Sequence, residues 1–246
     1  MNSRFLKVSI IFTFLTLVGK ILSFLKEMII ASQFGISAQT DAFNLALSIP
    51  NILYSVCASA ILITFIPNFY EVEKEDGLDG AYNFSNVFLT FLLLINSSVL
   101  IICNLFSEEI VKMIGPGLDY ETQVLANSLI KVSLFNLMFM VISSVYSAIL
   151  RSKEKFIGVS LMVIITNIPL IIMLTIFKYK ISIEVVNFLT TIGFCLQFVI
   201  LLPEMRKIKY KFEFIFNGYK KEFLYDKSND TNNHWFICST NKSSGR

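Results

Sequence analysis

Apolar residues in this chain fall into six long runs, at roughly 7–31, 41–67, 84–106, 124–150, 156–177 and 182–202, with short polar stretches between them. A helix needs about 20 apolar residues to cross the hydrocarbon core of a bilayer. Each run is about that long and is apolar on most faces. Barrel strands are about 10 residues long and alternate in polarity. The pattern therefore predicts an all-α, polytopic membrane protein with six transmembrane helices. Pro50 lies inside the second run and is expected to kink it, since proline lacks a backbone donor and crowds the preceding turn. That run is expected to end near Pro67, and the fifth run contains Pro169. The N-terminus superficially resembles a signal peptide, with Arg4 and Lys7 before an apolar stretch. No small-x-small cleavage site follows, so it reads as a retained first span.

Composition agrees with the runs. Of 246 residues, 54% are hydrophobic and only 16% are charged; mean hydropathy is +0.66. The net charge of +3 is small, and no basic stripe of the kind that binds nucleic acid is present. Cys57, Cys103, Cys195 and Cys238 form no C-x-x-C pair, and the first three sit in apolar runs, as small packing residues do. A single histidine, His234, leaves no basis for a histidine metal site or catalytic centre. There is no nucleophile–base pair and no Gly-rich phosphate loop, so an enzyme is not expected, and neither is a cofactor.

The Lys/Arg distribution sets the expected orientation. With the N-terminus inside, the inner segments hold Arg4, Lys7, Lys74, Arg151, Lys153, Lys155, Arg206, Lys207, Lys209 and Lys211, and the outer loops hold Lys112, Lys178 and Lys180. Both ends of the six-span unit are thus expected to be cytoplasmic. The acidic loop "EVEKEDGLDG" dissents in sign, but acidic residues weigh little in this rule.

Candidate chemistry lies in "GKILSFLKEMIIASQFG", Gly19 to Gly35, where an apolar run carries Lys20, Lys26 and Glu27. Burying a charge at bilayer depth costs at least about 2.5–3.5 kcal/mol, so such residues usually face water or a partner. Lys20, Ser23 and Glu27 are spaced i, i+3, i+7, on one helix face. Lys26 points about 120° away. Asp41 opens the second span. Lys26 and Glu27 read equally well as interfacial side chains that snorkel to water, and Asp41 as a helix cap. Lys20 is the deepest of the four and the hardest to assign to an interface.

Taken in order, "GKILSFLKEMIIASQFG", "TDAFNLALSIPNIL" at 40–53, "FIP" at 65–67, "GPGL" at 115–118 and "AILRSKEKF" at 148–156 resemble the lipid II flippase (MurJ/MviN) family, across residues 5–215. That family belongs to the multidrug, oligosaccharidyl-lipid and polysaccharide exporter superfamily. The resemblance implies two helical bundles in a V around a cationic cavity. It also implies passage of an undecaprenyl-pyrophosphate-linked glycan, lipid II, from the inner to the outer leaflet in peptidoglycan synthesis. The runner-up is a flippase for another polyprenyl-linked polysaccharide. Lys20 and Lys26 match two cavity arginines of the family's first helix, Asp41 the acidic residue of its T-D-A-F motif, and Glu27 an acidic neighbour. These four are the expected substrate-binding residues. This chain departs where better-known members carry a Ser-Arg pair, here Gly19 and Lys20, and an Arg-Arg pair, here Tyr54 and Ser55. Lysine binds phosphate as a point charge, not as a bidentate fork.

Family members have about fourteen spans, so six amount to the first bundle, residues 1–215. Either a second half-bundle chain supplies the rest, or the chain is a truncated and inactive piece of such a flippase. Residues 216–246 form a polar stretch with no packing logic and are expected to be disordered. Read back through AT-rich codons and shifted by one base, this stretch permits a peptide like the family's seventh helix, so it is expected to be a frameshifted end.

Overall fold

The computed structural model describes residues 3–215; the expectations about 216–246 lie outside the described residues. The helices are α1 (Ser3–Phe34), α2 (Ala38–Ala60), α3 (Ile66–Leu105), α4 (Ser107–Ile114), α5 (Tyr120–Ser133), α6 (Phe135–Ser152), α7 (Ile157–Phe177), α8 (Ile183–Val199) and α9 (Leu202–Lys207). No strand occurs among the described residues, as the run lengths predict. Among them, four helical runs are long and apolar enough to cross a membrane: Ala38–Leu105, Tyr120–Ser152, Ile157–Phe177 and Ile183–Lys207.

The 68-residue run is too long for one crossing. At 1.5 Å per residue it would extend about 100 Å, some three times the hydrocarbon thickness. It breaks at Gly77, whose φ of 75° and ψ of −172° are non-helical, within the acidic "EVEKEDGLDG" stretch. The second helical segment does not end near Pro67, contrary to the sequence expectation. It passes through Pro50, which is buried inside α2, and then through a π-helical turn at Ile61–Phe65 into α3. Pro67 falls in the first turn of α3, where a missing N–H is tolerated. The wider i→i+5 register just before it is what the sequence pattern did not reveal. The expected 124–150 span is two helices, α5 and α6, meeting at Leu134. The short α4, with exposed Glu108, Glu109 and Lys112 and buried Val111, was also missed.

The core forms two clusters. One gathers Phe65, Phe69, Phe84, Phe88, Leu137, Val145, Ile149, Leu150, Leu201 and Met205. The other gathers Ile30, Phe43, Ala46, Val111, Leu129, Ile130, Leu134, Leu170, Leu174 and Val186. Successive segments run from one cluster to the other, so they alternate in direction. α2 leaves the second cluster for the first, α7 runs from the first to the second, and α8 and α9 return. The loops holding Lys74, Arg151–Lys155 and Arg206–Lys211 therefore share one end of the bundle, and those holding Lys112, Lys178 and Lys180 the other. Two contacts tie the basic end together. Lys153 forms an ion pair with Glu73 and lies 5.7 Å from the Phe69 ring centroid. Gly158 N–H donates to Glu204 Oε1 at 3.1 Å, at the N-terminus of α7. Cys57, Cys103 and Cys195 are free thiols, and the first two pack against the core clusters.

Buried amides divide into satisfied and unsatisfied ones. Asn187 is fully enclosed. Its Oδ1 accepts from Ser133 Oγ at 2.7 Å, and its Nδ2 donates to Leu129 O at 2.8 Å. Asn136 is 1% exposed, and neither of its amide atoms has a partner. An unpaired buried amide costs about 1–3 kcal/mol, whereas an apolar isostere is neutral or favourable. Asn136→Leu should accordingly hold or raise the thermal midpoint in detergent. Asn187→Leu should lower it, because it takes away the acceptor of Ser133 Oγ and the second donor to Leu129 O. A drop for Asn136→Leu as large as for Asn187→Leu would contradict this.

Candidate functional site: the cationic first helix and the polar face of the second

α1 rests on α7, and the two run in the same direction. Phe12 meets Phe156 edge-on at 5.7 Å. Further along, Gly19 is closed against Val163. Ser23 Oγ accepts from Asn167 Nδ2 at 2.9 Å, and Gln33 Nε2 donates to Leu174 O at 2.7 Å. By contrast, α1 touches α2 only slightly. Gly19 and Ser23 are small because α7 lies against them, and small residues let membrane helices approach closely.

This docking determines what the charges do. Ser23 turns into the α7 contact, so of the expected Lys20–Ser23–Glu27 face only Lys20 and Glu27 stay exposed. They are one heptad apart, about 10 Å along the helix. Lys26 Nζ pairs with Glu27 Oε1 at 2.9 Å, with side-chain exposures of 17% and 58%. The structure therefore brings Lys26 and Glu27 together and leaves Lys20 apart. Among the described residues, Lys20 has no ion-pair partner.

Asp41 is exposed in the first turn of α2 and does not cap it. Gly35 closes the turn in the left-handed region at φ 64°, as helix C-termini favour. Ser37 is the cap: its side chain accepts from Thr40 N–H at 3.4 Å, and Thr40 Oγ1 donates to Gly35 O at 2.9 Å. With capping done by Ser37, the carboxylate of Asp41 remains free near the positive end of the helix dipole.

From Asp41 onward α2 carries a polar face that sequence reasoning missed. Asn44, Ser48, Asn51, Ser55 and Ser59 follow at spacings of three and four, and all but half-buried Ser48 are exposed. The serines bond back to their own helix: Ser48 to Leu45 O at 2.8 Å, Ser55 to Ile52 O at 2.6 Å and Ser59 to Ser55 O at 2.9 Å. The opposite face, Ala42, Phe43, Ala46 and Ile49, is buried. The signal was available, as a polar residue every third or fourth position in an otherwise apolar helix. Of the two positions where arginines were expected, Tyr54 packs against a core cluster and Ser55 lies on the polar face.

These features define a polytopic α-helical membrane protein with a polar, partly charged face on its first two helices. The model of the family "Lipid II flippase MurJ" matches residues 30–225, and the chain belongs to that family. It is 30% identical over 200 residues to the probable lipid II flippase MurJ of Buchnera aphidicola (subspecies Schizaphis graminum), covering 79% of this chain and 39% of that protein. It is 30% identical over 206 residues to the lipid II flippase MurJ of Thermosipho africanus, covering 83% and 42%. A solved structure described as lipid II flippase MurJ in an inward closed conformation superposes with a TM-score of 0.66 at 26% identity, covering 84% of this chain and 43% of that one. The chain thus spans about two-fifths of the length of these relatives.

Proposed function

We propose that this chain is the first bundle of a lipid II flippase of the cytoplasmic membrane. Its part is to help move an undecaprenyl-pyrophosphate-linked disaccharide-pentapeptide from the inner to the outer leaflet. The observation that carries this reading is the family match over most of the bundle. The exposed Lys20 and the polar face of α2 support it. Cations in a low-dielectric cleft offset the cost of drawing a pyrophosphate off the membrane surface. Lys20, Lys26, Glu27 and Asp41 are the proposed substrate-binding set. Lys20 meets the anion, and Glu27 restrains Lys26 until substrate competes for it. The protein is a carrier and makes or breaks no covalent bond. The six crossings are α1, the two arms of the run that breaks at Gly77, α5 with α6, α7, and α8. Both ends of this unit are on the cytoplasmic side, with the basic end inward.

Alternating access needs two bundles rocking about a shared site. The other bundle comes either from further residues of the same polypeptide or from a second chain. Complementation in cells depleted of their own flippase tests the reading. The 246-residue chain is expected not to restore growth alone. Residues 1–215 joined in frame to the remaining part of the Thermosipho africanus relative should restore it. Growth on the chain alone would mean that several copies assemble a complete carrier. A hybrid that inserts and folds but fails to rescue would overturn the flippase reading.

A further inference from the structure

Beyond α9 the chain doubles back. Lys209 takes a left-handed φ of 61°, and the following residues lie along α3, held by side chains one turn apart on that helix. Tyr82 Oη donates to Ile208 O at 2.9 Å, and Asn86 Nδ2 to Lys211 O at 3.1 Å. Ile215 N–H donates to Thr90 Oγ1 at 3.4 Å. Tyr210 Oη donates to Asn86 Oδ1 at 2.6 Å. The Tyr210 ring sits edge-on to Tyr82 and Tyr146, at 5.2 and 5.7 Å. Burial pushes the Tyr210 hydroxyl well above the usual tyrosine range, so it stays a donor. The segment is therefore a fixed wall.

Between this wall, α6 and α9 lies a cavity of about 580 Å³. Buried Tyr146 and Met205 and half-buried Leu202 and Phe212 make its apolar side. Arg206 and Lys211, both exposed, also line it. Among the described residues no acidic side chain lines the cavity. An apolar pocket with two cations on its lining suits a ligand that is part hydrocarbon and part anion. A free phosphate would have no use for the apolar side. The cavity also opens at the basic end of the bundle, where the charge bias attracts anionic headgroups.

We propose that this cavity binds an anionic phospholipid, with Arg206 and Lys211 on the phosphate and Tyr146, Leu202, Met205 and Phe212 against the glycerol and upper acyl chain. Bound there, the lipid fastens α9 and the segment after it to α6. The proposal does not depend on the flippase reading, since binding is measured without any lipid-linked glycan.

Native mass spectrometry of the purified 246-residue chain tests it, with dioleoyl phosphatidylglycerol or dioleoyl phosphatidylcholine added at equal concentration. Phosphatidylglycerol should be retained about tenfold more strongly, as two charge-assisted contacts imply. Arg206→Gln with Lys211→Gln should bring it down to the phosphatidylcholine level. Both side chains are exposed, so folding should be unaffected, which circular dichroism checks. Lys178→Gln with Lys180→Gln, at the opposite end, should leave retention unchanged. Equal retention of the two lipids by the unmodified chain would overturn the proposal, as would an Arg206/Lys211 variant that retains as much as the parent. Displacement of the lipid by millimolar inorganic phosphate would mark a free-phosphate site and would overturn it as well.

Discussion

Gly193→Ala should lower the thermal midpoint of the chain in detergent by more than Gly19→Ala, while Gly117→Ala should leave it almost unchanged. A Cβ at Gly193 would fall far inside contact distance of the Thr166 carbonyl oxygen. That oxygen belongs to the backbone of α7, so relief requires moving a helix. The neighbouring turn resists the movement. Thr166 Oγ1 lies 3.0 Å from Gln197 Oε1 on α8 and donates to Met162 O at 2.8 Å. Overpacking of this kind costs about 1–3 kcal/mol. At Gly19 the added methyl would meet Val163 Cβ and Cγ1 at 3.0 Å and Ile164 Cγ1 at 3.7 Å, a milder crowding. At Gly117 it would meet open space. Thermal unfolding followed by circular dichroism gives the order. A Gly193→Ala midpoint equal to that of Gly117→Ala would mean that α7 and α8 are not packed this closely.

The main architecture was legible because bilayer thickness sets the length of apolar runs. Each expected span falls within or across the observed helices, and the break at Gly77 lies in the stretch read as a polar loop. What escaped was structure that leaves no trace in hydropathy. The π-helical turn at Ile61–Phe65 is as apolar as the helices beside it, so nothing in the composition marks the change of register. Ser23 was placed with Lys20 by helical spacing, but its hydroxyl accepts from Asn167, 144 residues away. Only a tertiary contact separates the two. The segment after α9 has no periodicity of its own. Its structure comes from Tyr82, Asn86 and Thr90 on α3, whose i, i+4, i+8 spacing is visible in sequence but whose partners are not. In the candidate site, Lys20 and Asp41 stood out as charges in apolar company. The polar face of α2 was equally visible and went unread because its members are uncharged.

Lys20→Leu should stabilise the folded chain and abolish transport in the full-length hybrid with the Thermosipho africanus remainder. Two readings of Lys20 predict different outcomes. If the side chain only faces lipid, replacing it removes an insertion cost of about 2.5–3.5 kcal/mol and leaves function alone. If it faces the cleft that receives a pyrophosphate, the same change removes the cation that draws the anion in. Gains in stability at the expense of activity are typical of functional sites. Lys20→Arg keeps the charge, adds a planar fork suited to phosphate, and should retain transport. Cysteine labelling separates the readings without transport. With Cys57, Cys103, Cys195 and Cys238 replaced by alanine, a cysteine introduced at position 20 should react with a membrane-impermeant thiol reagent, because thiolate forms only where water reaches. A cysteine introduced at Phe14, exposed on α1 and about 120° around the helix from position 20, should react far more slowly. Equal rates at the two positions, together with unimpaired growth of the Lys20→Leu hybrid, would remove Lys20 from the binding set and leave the polar face of α2 to meet the substrate.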